Sequence, residues 1–229
     1  MAKLTKDEFL DRLKNRDSYL YQASSLTATN DDYLKWAYDY ITKNELEMVN
    51  GQWKLKNISQ ITRKESYYIN RPLKKEGEKT NRKEEWLVID LYENNLNMTQ
   101  GAKNKFGKIT NYQVPLKNKK SDKGAGKLDF VGLVNDEFYI AEIKITNSNE
   151  SILKAILEIQ TYYQIVNKEK LLSDFKCPKN TKIKKKVVIA SGTKASKQFL
   201  ENELIKDLTK KLNIEVDIYN LEDNTFDVI

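Results

Sequence analysis

Two apolar runs separated by only two residues constrain the fold most strongly. GKLDFVGLV spans 126–134, EFYIAEIKI spans 137–145, and Asn135-Asp136 lies between them. Apart from a few charged positions, the runs are apolar on both faces, which is typical of strands in the interior of a sheet. We therefore predict a tight antiparallel hairpin with Asn135-Asp136 as its loop, in the middle of a central sheet.

Strands and helices alternate on either side of this hairpin. The sequence predicts a helix at 81–95, a strand at 108–117 ending at Pro115, a helix at 151–167, a strand at 185–192, a helix at 194–212 and a strand at 214–221. With the hairpin included, the order is α-β-β-β-α-β-α-β. This order predicts an α/β fold in which helices flank a central mixed β-sheet.

The amino-terminal third is predicted to be mainly helical. Three elements are expected there: a helix at 5–15 with Thr5 as N-cap, a helix at 30–43 capped by Asn30 or Asp31, and a β-hairpin around Asn50-Gly51. The polar stretch 71–83 contains Pro and Gly, so we divide the chain into regions 1–75 and 76–229. A helix followed by a hairpin resembles the end of a winged helix. The first region is therefore either a recognition or oligomerisation module or a helical subdomain packed on the core.

The amino-acid composition excludes several kinds of catalytic site. The chain of 229 residues has no histidine and one cysteine, Cys177. A Ser-His-Asp or Cys-His hydrolase and a histidine-ligated zinc site cannot be built, and no internal disulfide can form. Hydrolytic chemistry in this chain therefore depends on carboxylates, lysine, tyrosine and a hard metal ion that prefers oxygen ligands.

Hydropathy and the amino terminus indicate the cellular compartment. No apolar stretch approaches the roughly 18–20 residues that are needed to span a bilayer. The first residues, MAKLTKDEFLDRLKNR, are charged throughout and lack the apolar segment of a signal peptide. We expect a cytoplasmic protein in a reducing compartment, with no membrane partner.

Positive charge is concentrated in two segments. The chain has 40 Lys and Arg against 33 Asp and Glu, which gives a net charge of +7. Eight lysines and one acidic residue lie within 103–127, and six lysines lie within 176–186. Clustered lysine suits a polyanion whose phosphates are neutralised along a track, so nucleic acid is the expected partner. The alternative is that lysine only solvates the loops of a Lys- and Asn-rich protein.

The central hairpin carries three charged residues on one face. Its predicted register puts Asp129 directly opposite Glu142, with Lys144 two residues further along the same face. Opposed carboxylates repel each other unless a divalent cation binds between them. Lys144 would then hold a metal-bound water and help to deprotonate it. The alternative is that Asp129 marks a bend and that Glu142 and Lys144 form a surface pair.

The spacing of these residues resembles the bipartite motif of the PD-(D/E)XK nuclease superfamily. The motif is Asp129-x12-Glu142-x-Lys144, within LDFVG and AEIKI. The common core of that superfamily is an α-β-β-β-α-β unit, and residues 81–192 match it in order. The resemblance implies a restriction-endonuclease-like core and covers roughly half of the chain. Leu128 stands where the motif often has proline, a variation that does not touch the ligands.

The resemblance implies a metal site on the hairpin. Asp129, Glu142 and the backbone carbonyl of Ile143 would hold Mg²⁺, for which Mn²⁺ would substitute. Lys144 would orient and activate the attacking water.

Two flanking helices would complete the catalytic residues, as the resemblance implies. The first core helix would supply an acid, Glu84 or Glu85, and we favour Glu85 because it adjoins the apolar face of its helix. The helix after the lysine strand would supply Glu158 or Gln160, and we favour Gln160. The loop that enters the Asp129 strand would contact the nucleic-acid backbone through Lys117, Lys119, Lys120, Lys123 and Lys127.

These features together predict a Mg²⁺-dependent endonuclease that hydrolyses phosphodiester bonds in double-stranded DNA, of the restriction or phage-defence type. Paired cleavage of a duplex usually needs two active sites, which a homodimer would provide. Two alternatives stay open. One is a structure-selective or RNA-directed nuclease on the same core, and the other is a non-catalytic nucleic-acid-binding protein. The intact Asp-Glu-Lys set argues against the second alternative.

Overall fold

A mixed β-sheet of seven strands organises the fold. The computed structural model describes residues 4–16, 18–27, 31–70, 83–122, 124–145 and 151–229. The α-helices of these ranges are α1 (Lys6–Lys14), α2 (Asp31–Tyr40), α3 (Lys83–Glu93), α4 (Gln100–Phe106), α5 (Ile152–Ile165), α6 (Lys168–Asp174), α7 (Lys194–Glu201) and α8 (Glu203–Leu212). The strands are β1 (Leu46–Val49), β2 (Gln52–Leu55), β3 (Asn97–Met98), β4 (Lys108–Pro115), β5 (Lys127–Val134), β6 (Glu137–Lys144), β7 (Ile183–Ala190), β8 (Ile214–Glu222) and β9 (Thr225–Val228).

The large sheet combines antiparallel and parallel strands. Its strand order is β3-β9-β8-β7-β6-β5-β4. β4, β5 and β6 are antiparallel neighbours, whereas β6, β7 and β8 run parallel to one another. β1 and β2 form a separate antiparallel hairpin. The structure therefore confirms the predicted α/β class with a mixed sheet flanked by helices.

The central hairpin of β5 and β6 has the predicted register from its loop as far as Phe130, but regular pairing ends before the predicted pair of Asp129 with Glu142. Residues pair from Phe130 with Ala141 to Val134 with Glu137. The loop residues, Asn135-Asp136, have positive φ angles of 48° and 61°, as a tight two-residue turn requires. All of β6 after its first residue is buried. The hairpin thus lies in the interior of the sheet.

Each face of the sheet is covered by its own apolar core. In the first core, α5 and α8 pack with alternate residues of β6 and β7, such as Ile140 and Ile189. In the second core, α3 and α4 pack with the intervening residues, such as Tyr139 and Val188. Because both faces are covered, β6 and β7 are apolar at successive positions rather than at alternate ones.

The amino-terminal region shares the first core. Phe9 of α1 and Leu34 of α2 are buried in the same cluster as the apolar residues of α5. The β1–β2 hairpin turns at Asn50-Gly51, as predicted, and lies against α5. There the Gln164 side chain bonds to both the N–H and the C=O of Leu55, each at 2.8 Å. These contacts join the hairpin to the core. The predicted boundary at 71–83 lies outside the described residues except for its last residue.

Capping determines where the amino-terminal helices begin. α1 follows the predicted N-cap, Thr5, whose hydroxyl accepts from the N–H of Glu8 while the Glu8 carboxylate accepts from the N–H of Thr5. α2 begins at Asp31. Asn30, the other predicted cap, lies outside the described residues.

Several elements differ from the sequence prediction. α4 and the two-residue β3 lie between α3 and β4, α6 follows α5, and β9 pairs with β8. These elements have seven residues or fewer, which is too short for hydrophobic periodicity to identify them. The helix predicted at 194–212 is two helices, because Asn202 ends α7 and its side chain caps α8.

The helices of the described ranges are short. α5 has 14 residues, and no helix in these parts of the chain is long and apolar enough to cross a membrane.

Substitution of Leu34 tests whether the amino-terminal region depends on the shared core. Leu34 is 1% exposed, so Leu34→Ala should lower the free energy of unfolding by about 2–5 kcal/mol. Urea denaturation followed by tryptophan fluorescence and by circular dichroism should give one transition at the same midpoint. Leu200→Ala is the control, because Leu200 is 57% exposed and its truncation should cost less than about 0.5 kcal/mol. A separate early transition in Leu34→Ala would contradict the shared core.

Candidate functional site

A cleft of about 500 Å³ opens where β5 begins and β6 ends. Residues of α3, β4, β5, β6 and α5 contribute to its wall. Its charged lining consists of the carboxylates of Glu84, Glu85, Asp129, Glu142 and Glu158 and the ammonium groups of Lys117 and Lys127. Carboxylates gathered in one concave site repel one another, and a bound cation relieves that repulsion.

Asp129 lies where the pairing between β5 and β6 ends. Regular pairing of these strands reaches Phe130 with Ala141. Beyond this pair, the Asp129 side chain replaces the backbone as the partner of β6, and its Oδ2 accepts from the N–H of Ile143 at 2.9 Å. Its Oδ1 accepts from Nε2 of Gln113 on β4 at 3.1 Å. The Asp129 carboxylate is therefore held by one donor from each neighbouring strand.

Glu142 and Lys144 form a buried ion pair beside Asp129. The two side chains are 4% and 8% exposed, and Lys144 Nζ lies 2.7 Å from Glu142 Oε1. Among the described residues, nothing donates a hydrogen bond to Glu142 Oε2, although this atom is buried. A buried carboxylate oxygen without a partner is costly, so the arrangement suits a further positive group or donor at this atom.

Glu158 of α5 places a second carboxylate near the lysine. Glu158 Oε2 lies 3.5 Å from Lys144 Nζ, and Glu158 Oε1 accepts from the hydroxyl of Tyr162 at 2.7 Å. Lys144 is thus flanked by two carboxylates, one from its own strand and one from α5. This surrounding fixes the ammonium group at the edge of the cleft.

Burial and neighbouring charges raise the pKa values of the paired acids. Loss of hydration raises the pKa of Asp129 to about 6; the Lys144 ammonium and the Ile143 N–H oppose this rise, and Glu158 and Glu84 add to it. Burial, followed by the charge of Asp129, raises the pKa of Glu142 well above its usual value. Without a cation, the site therefore binds protons more readily than two solvated carboxylates do.

The structure brings most of the predicted site residues together. Asp129, Glu142 and Glu85 line the cleft, as predicted from the sequence. Lys144 is not part of the lining but contacts two carboxylates that are, those of Glu142 and Glu158. Glu84 lines the cleft as well. In addition, Glu84 Oε1 accepts from the N–H of Ile145 at 3.3 Å, and its charge raises the pKa of Asp129. Both glutamates of α3 are therefore available to the site.

Gln160, the residue favoured on the following helix, lies away from the cleft. It is 1% exposed. Its Oε1 accepts from Lys185 Nζ and its Nε2 donates to Gln164 Oε1, both at 2.7 Å. Two residues along an α-helix correspond to a rotation of about 200°. The residue that faces the cleft from α5 is Glu158, the alternative weighed from the sequence.

The predicted nucleic-acid-binding lysines are divided between the cleft and the loop. Lys117 and Lys127 line the cleft. Lys119 and Lys120 are exposed on the connecting loop. Lys123 lies outside the described residues.

Sequence reasoning missed Gln113. Its side chain lines the cleft and bonds to Asp129, and its φ of 47° is left-handed although it lies within β4. The only sequence signal is a polar residue within the predicted strand KITNYQVPLK. A left-handed residue inside a strand depends on tertiary contacts and has no sequence pattern of its own here.

The chemistry of the cleft suits a hard divalent cation. Asp129 and Glu142 provide carboxylate oxygens, and one Glu142 oxygen is unpartnered within the described chain. The N–H of Ile143 donates to Asp129, and in an extended strand the C=O of a residue faces the same edge as its N–H, so this carbonyl oxygen lies on the edge of β6 that faces β5. Oxygen-only donors of this kind are what Mg²⁺ prefers. Within the described ranges, no group of three or more Cys, Asp or Glu side chains is arranged to hold a metal ion. A site here would therefore depend on two carboxylates and a carbonyl.

Comparisons with protein-family models, with curated proteins and with solved structures found no match.

Replacement of Asp129 tests the charge repulsion in the cleft. The pKa of Asp129 is raised to about 6 in the folded protein, so the folded state binds more protons than the unfolded state, and the wild-type protein loses stability as the pH rises from about 4 to about 6. Asparagine does not ionise, so Asp129→Asn should not lose stability in this pH range. In buffer with EDTA, it should be more stable than wild type by about 1–3 kcal/mol at pH 7, with little difference at pH 4.

Thermal and urea unfolding at both pH values would measure this difference. Asp39→Asn is the control, because Asp39 is exposed on α2 and its substitution should change stability by less than about 0.5 kcal/mol. A marked loss of stability in Asp129→Asn at pH 7 would instead assign Asp129 a structural role.

Proposed function

We propose that the cleft is the active site of a metal-dependent nuclease of the PD-(D/E)XK superfamily, which hydrolyses phosphodiester bonds in double-stranded DNA. One observation carries this proposal. Asp129, Glu142 and Lys144 converge at the end of the central hairpin, with a buried Glu142 oxygen that has no partner in the described chain. An ion pair with a purely structural role would not need the second carboxylate, that of Asp129. A cation bound between Asp129 and Glu142 would relieve the repulsion between them.

The order of the elements supports the same proposal. α3, β4, β5, β6, α5 and β7 follow one another as the α-β-β-β-α-β core of that superfamily does, apart from the short β3, α4 and α6. The carboxylates come from the hairpin and from the two helices that flank it. A restriction-endonuclease-like core is therefore the fold that we propose.

Each residue of the cleft has a part in the proposed reaction. Asp129, Glu142 and the carbonyl of Ile143 would hold Mg²⁺, or Mn²⁺ in its place, which supplies a Lewis acid for the scissile phosphate when bound. Lys144, fixed by its two carboxylates, would donate hydrogen bonds that orient the attacking water and stabilise the negative charge that develops on it. Glu84 or Glu85 would bind to the ion through water.

Two lysines would hold the substrate in the cleft. Lys117 and Lys127 lie at its wall, where their ammonium groups can neutralise phosphates on either side of the scissile bond. The exposed Lys119 and Lys120 would extend this contact along the backbone. The proposal further assigns the protein to the cytoplasm, with a role in restriction or phage defence, and a homodimer would supply the two sites that a double-strand cut needs.

Cleavage assays test the reaction and name its polymer. Supercoiled plasmid and single-stranded RNA should be incubated with wild-type protein in Mg²⁺ or in EDTA. We expect Mg²⁺-dependent nicking or linearisation of the plasmid. Glu142→Gln and Lys144→Met should each lower the rate by at least about 100-fold, and Lys144→Met should still bind DNA because binding rests on other lysines.

The control is Glu47→Gln, an exposed residue of β1, which should cleave at the wild-type rate. Cleavage of RNA but not of plasmid would support a metal-dependent nuclease but would show that its substrate is RNA, not DNA. No Mg²⁺-dependent cleavage of either polymer by folded protein, together with no Mg²⁺ binding by calorimetry, would refute it.

Salt dependence of DNA binding tests the role of the cleft lysines. Lys117→Ala and Lys127→Ala should each weaken binding and reduce the slope of log affinity against log salt by about 1, because each variant loses one phosphate contact. Fluorescence anisotropy with a labelled duplex in EDTA measures the slope without cleavage. Lys35→Ala, an exposed lysine of α2 that belongs to neither lysine cluster, is the control and should leave the slope unchanged. Equal effects at all three positions would indicate nonspecific attraction instead.

A further inference from the structure

Gln113 has a backbone conformation that is unusual for its position. Its φ is 47°, although it lies within β4 and has a side chain. Its neighbours pair regularly with β5, Tyr112 with Phe130 and Val114 with Leu128. Left-handed φ is unfavourable for residues other than Gly, Asn and Asp, so something at this site must favour a glutamine.

The left-handed residue changes the direction of β4. Tyr112 packs in the second core and Val114 in the first. In a regular strand, residues two apart face the same side. Their partners on β5 follow the same division, because Phe130 packs in the second core and Leu128 in the first. Both strands therefore change face at the level of Gln113 and Asp129.

At this change of direction, the Gln113 side chain contacts Asp129. By the register of its neighbours, Gln113 lies opposite Asp129, and its Nε2 donates to Asp129 Oδ1 at 3.1 Å. The residue is 9% exposed and contributes to the wall of the cleft. With the Ile143 N–H on Oδ2 at 2.9 Å, the Gln113 amide fixes the carboxylate from both sides.

We propose that Gln113 is a positioning residue that orients the Asp129 carboxylate for binding of a divalent cation in the cleft. This inference rests on the proposed function of the site. Donors that fix the orientation of a ligating carboxylate raise the affinity of a site, because the ligand does not have to be ordered when the ion binds. The amide would also determine which lone pairs of Asp129 remain directed into the cleft.

Two substitutions distinguish the orientation of Asp129 by the Gln113 amide from a role in which residue 113 only provides the left-handed φ of β4. Glycine adopts left-handed φ without steric cost, and asparagine adopts it more readily than glutamine does. Glycine has no amide, and the asparagine side chain is one methylene too short to reach Asp129. If residue 113 serves only the change of direction, Gln113→Gly and Gln113→Asn should preserve every property of the site.

The experiment measures Mn²⁺ binding to the full chain by isothermal titration calorimetry, with the unfolding temperature of each variant as the test of folding. We expect both variants to remain folded and to unfold in one cooperative transition, at a somewhat lower temperature than wild type because each loses the hydrogen bond to Asp129. We also expect their Kd for Mn²⁺ to be about 10-fold higher than that of wild type, as is typical when a partner of a ligand is removed. Asn50→Gly is the matched control, because Asn50 has a φ of 51° in the β1–β2 turn, and its Kd should equal that of wild type.

The outcomes distinguish this inference from the proposed function. A wild-type protein that does not bind Mn²⁺ would overturn both. Binding by wild type with the same Kd in Gln113→Gly and Gln113→Asn would overturn the inference and leave the proposed function standing. A raised Kd in folded variants, with Asn50→Gly unchanged, would support it.

Discussion

The buried ion pair of Glu142 and Lys144 at the end of the central hairpin is the interaction on which the rest of the site depends. An isolated charge is costly to bury, and β6 lies between two apolar cores. The lysine lies 2.7 Å from Glu142 and 3.5 Å from Glu158, which makes the burial tolerable. The remaining cost lies in the second acid of the hairpin, Asp129, whose pKa is raised to about 6. Binding of a cation would lower the cost of keeping Asp129 ionised beside Glu142. The electrostatics of the cleft are therefore consistent with the proposed metal site.

The surroundings of this pair show how distant parts of the chain serve one cleft. Tyr162 donates to Glu158 and also approaches Tyr21, from the amino-terminal region, at 3.3 Å between hydroxyl oxygens. Tyr21 in turn donates to the carbonyl of Gly124 in the lysine-rich loop. A side chain at Gly126 would collide with the Tyr162 hydroxyl and would have to displace it. The amino-terminal region therefore contacts residues that support the wall of the cleft, although none of its described residues lines the cleft itself.

The parts of the site that could be predicted are those determined by local register. A two-residue loop fixes which residues of a hairpin face each other, so the sequence alone brought Asp129, Glu142 and Lys144 together. The rotation of a helix about its axis depends on packing instead, and a difference of two residues on α5 separates Glu158 in the cleft from Gln160 at Lys185. Gln113 could not be predicted, because its left-handed φ depends on β5. Short elements such as α4 and β9 lack a readable period.

Anomalous diffraction from crystals grown with Mn²⁺ tests the central claim most directly. We predict an anomalous peak in the cleft within coordination distance, about 2.0–2.4 Å, of carboxylate oxygens of Asp129 and Glu142 and of the Ile143 carbonyl oxygen. The Glu142 oxygen that has no partner among the described residues should be among the ligands. A cleft without a peak at saturating Mn²⁺, in which Glu142 and Lys144 keep their ion pair, would contradict the account and leave the carboxylates with a structural role.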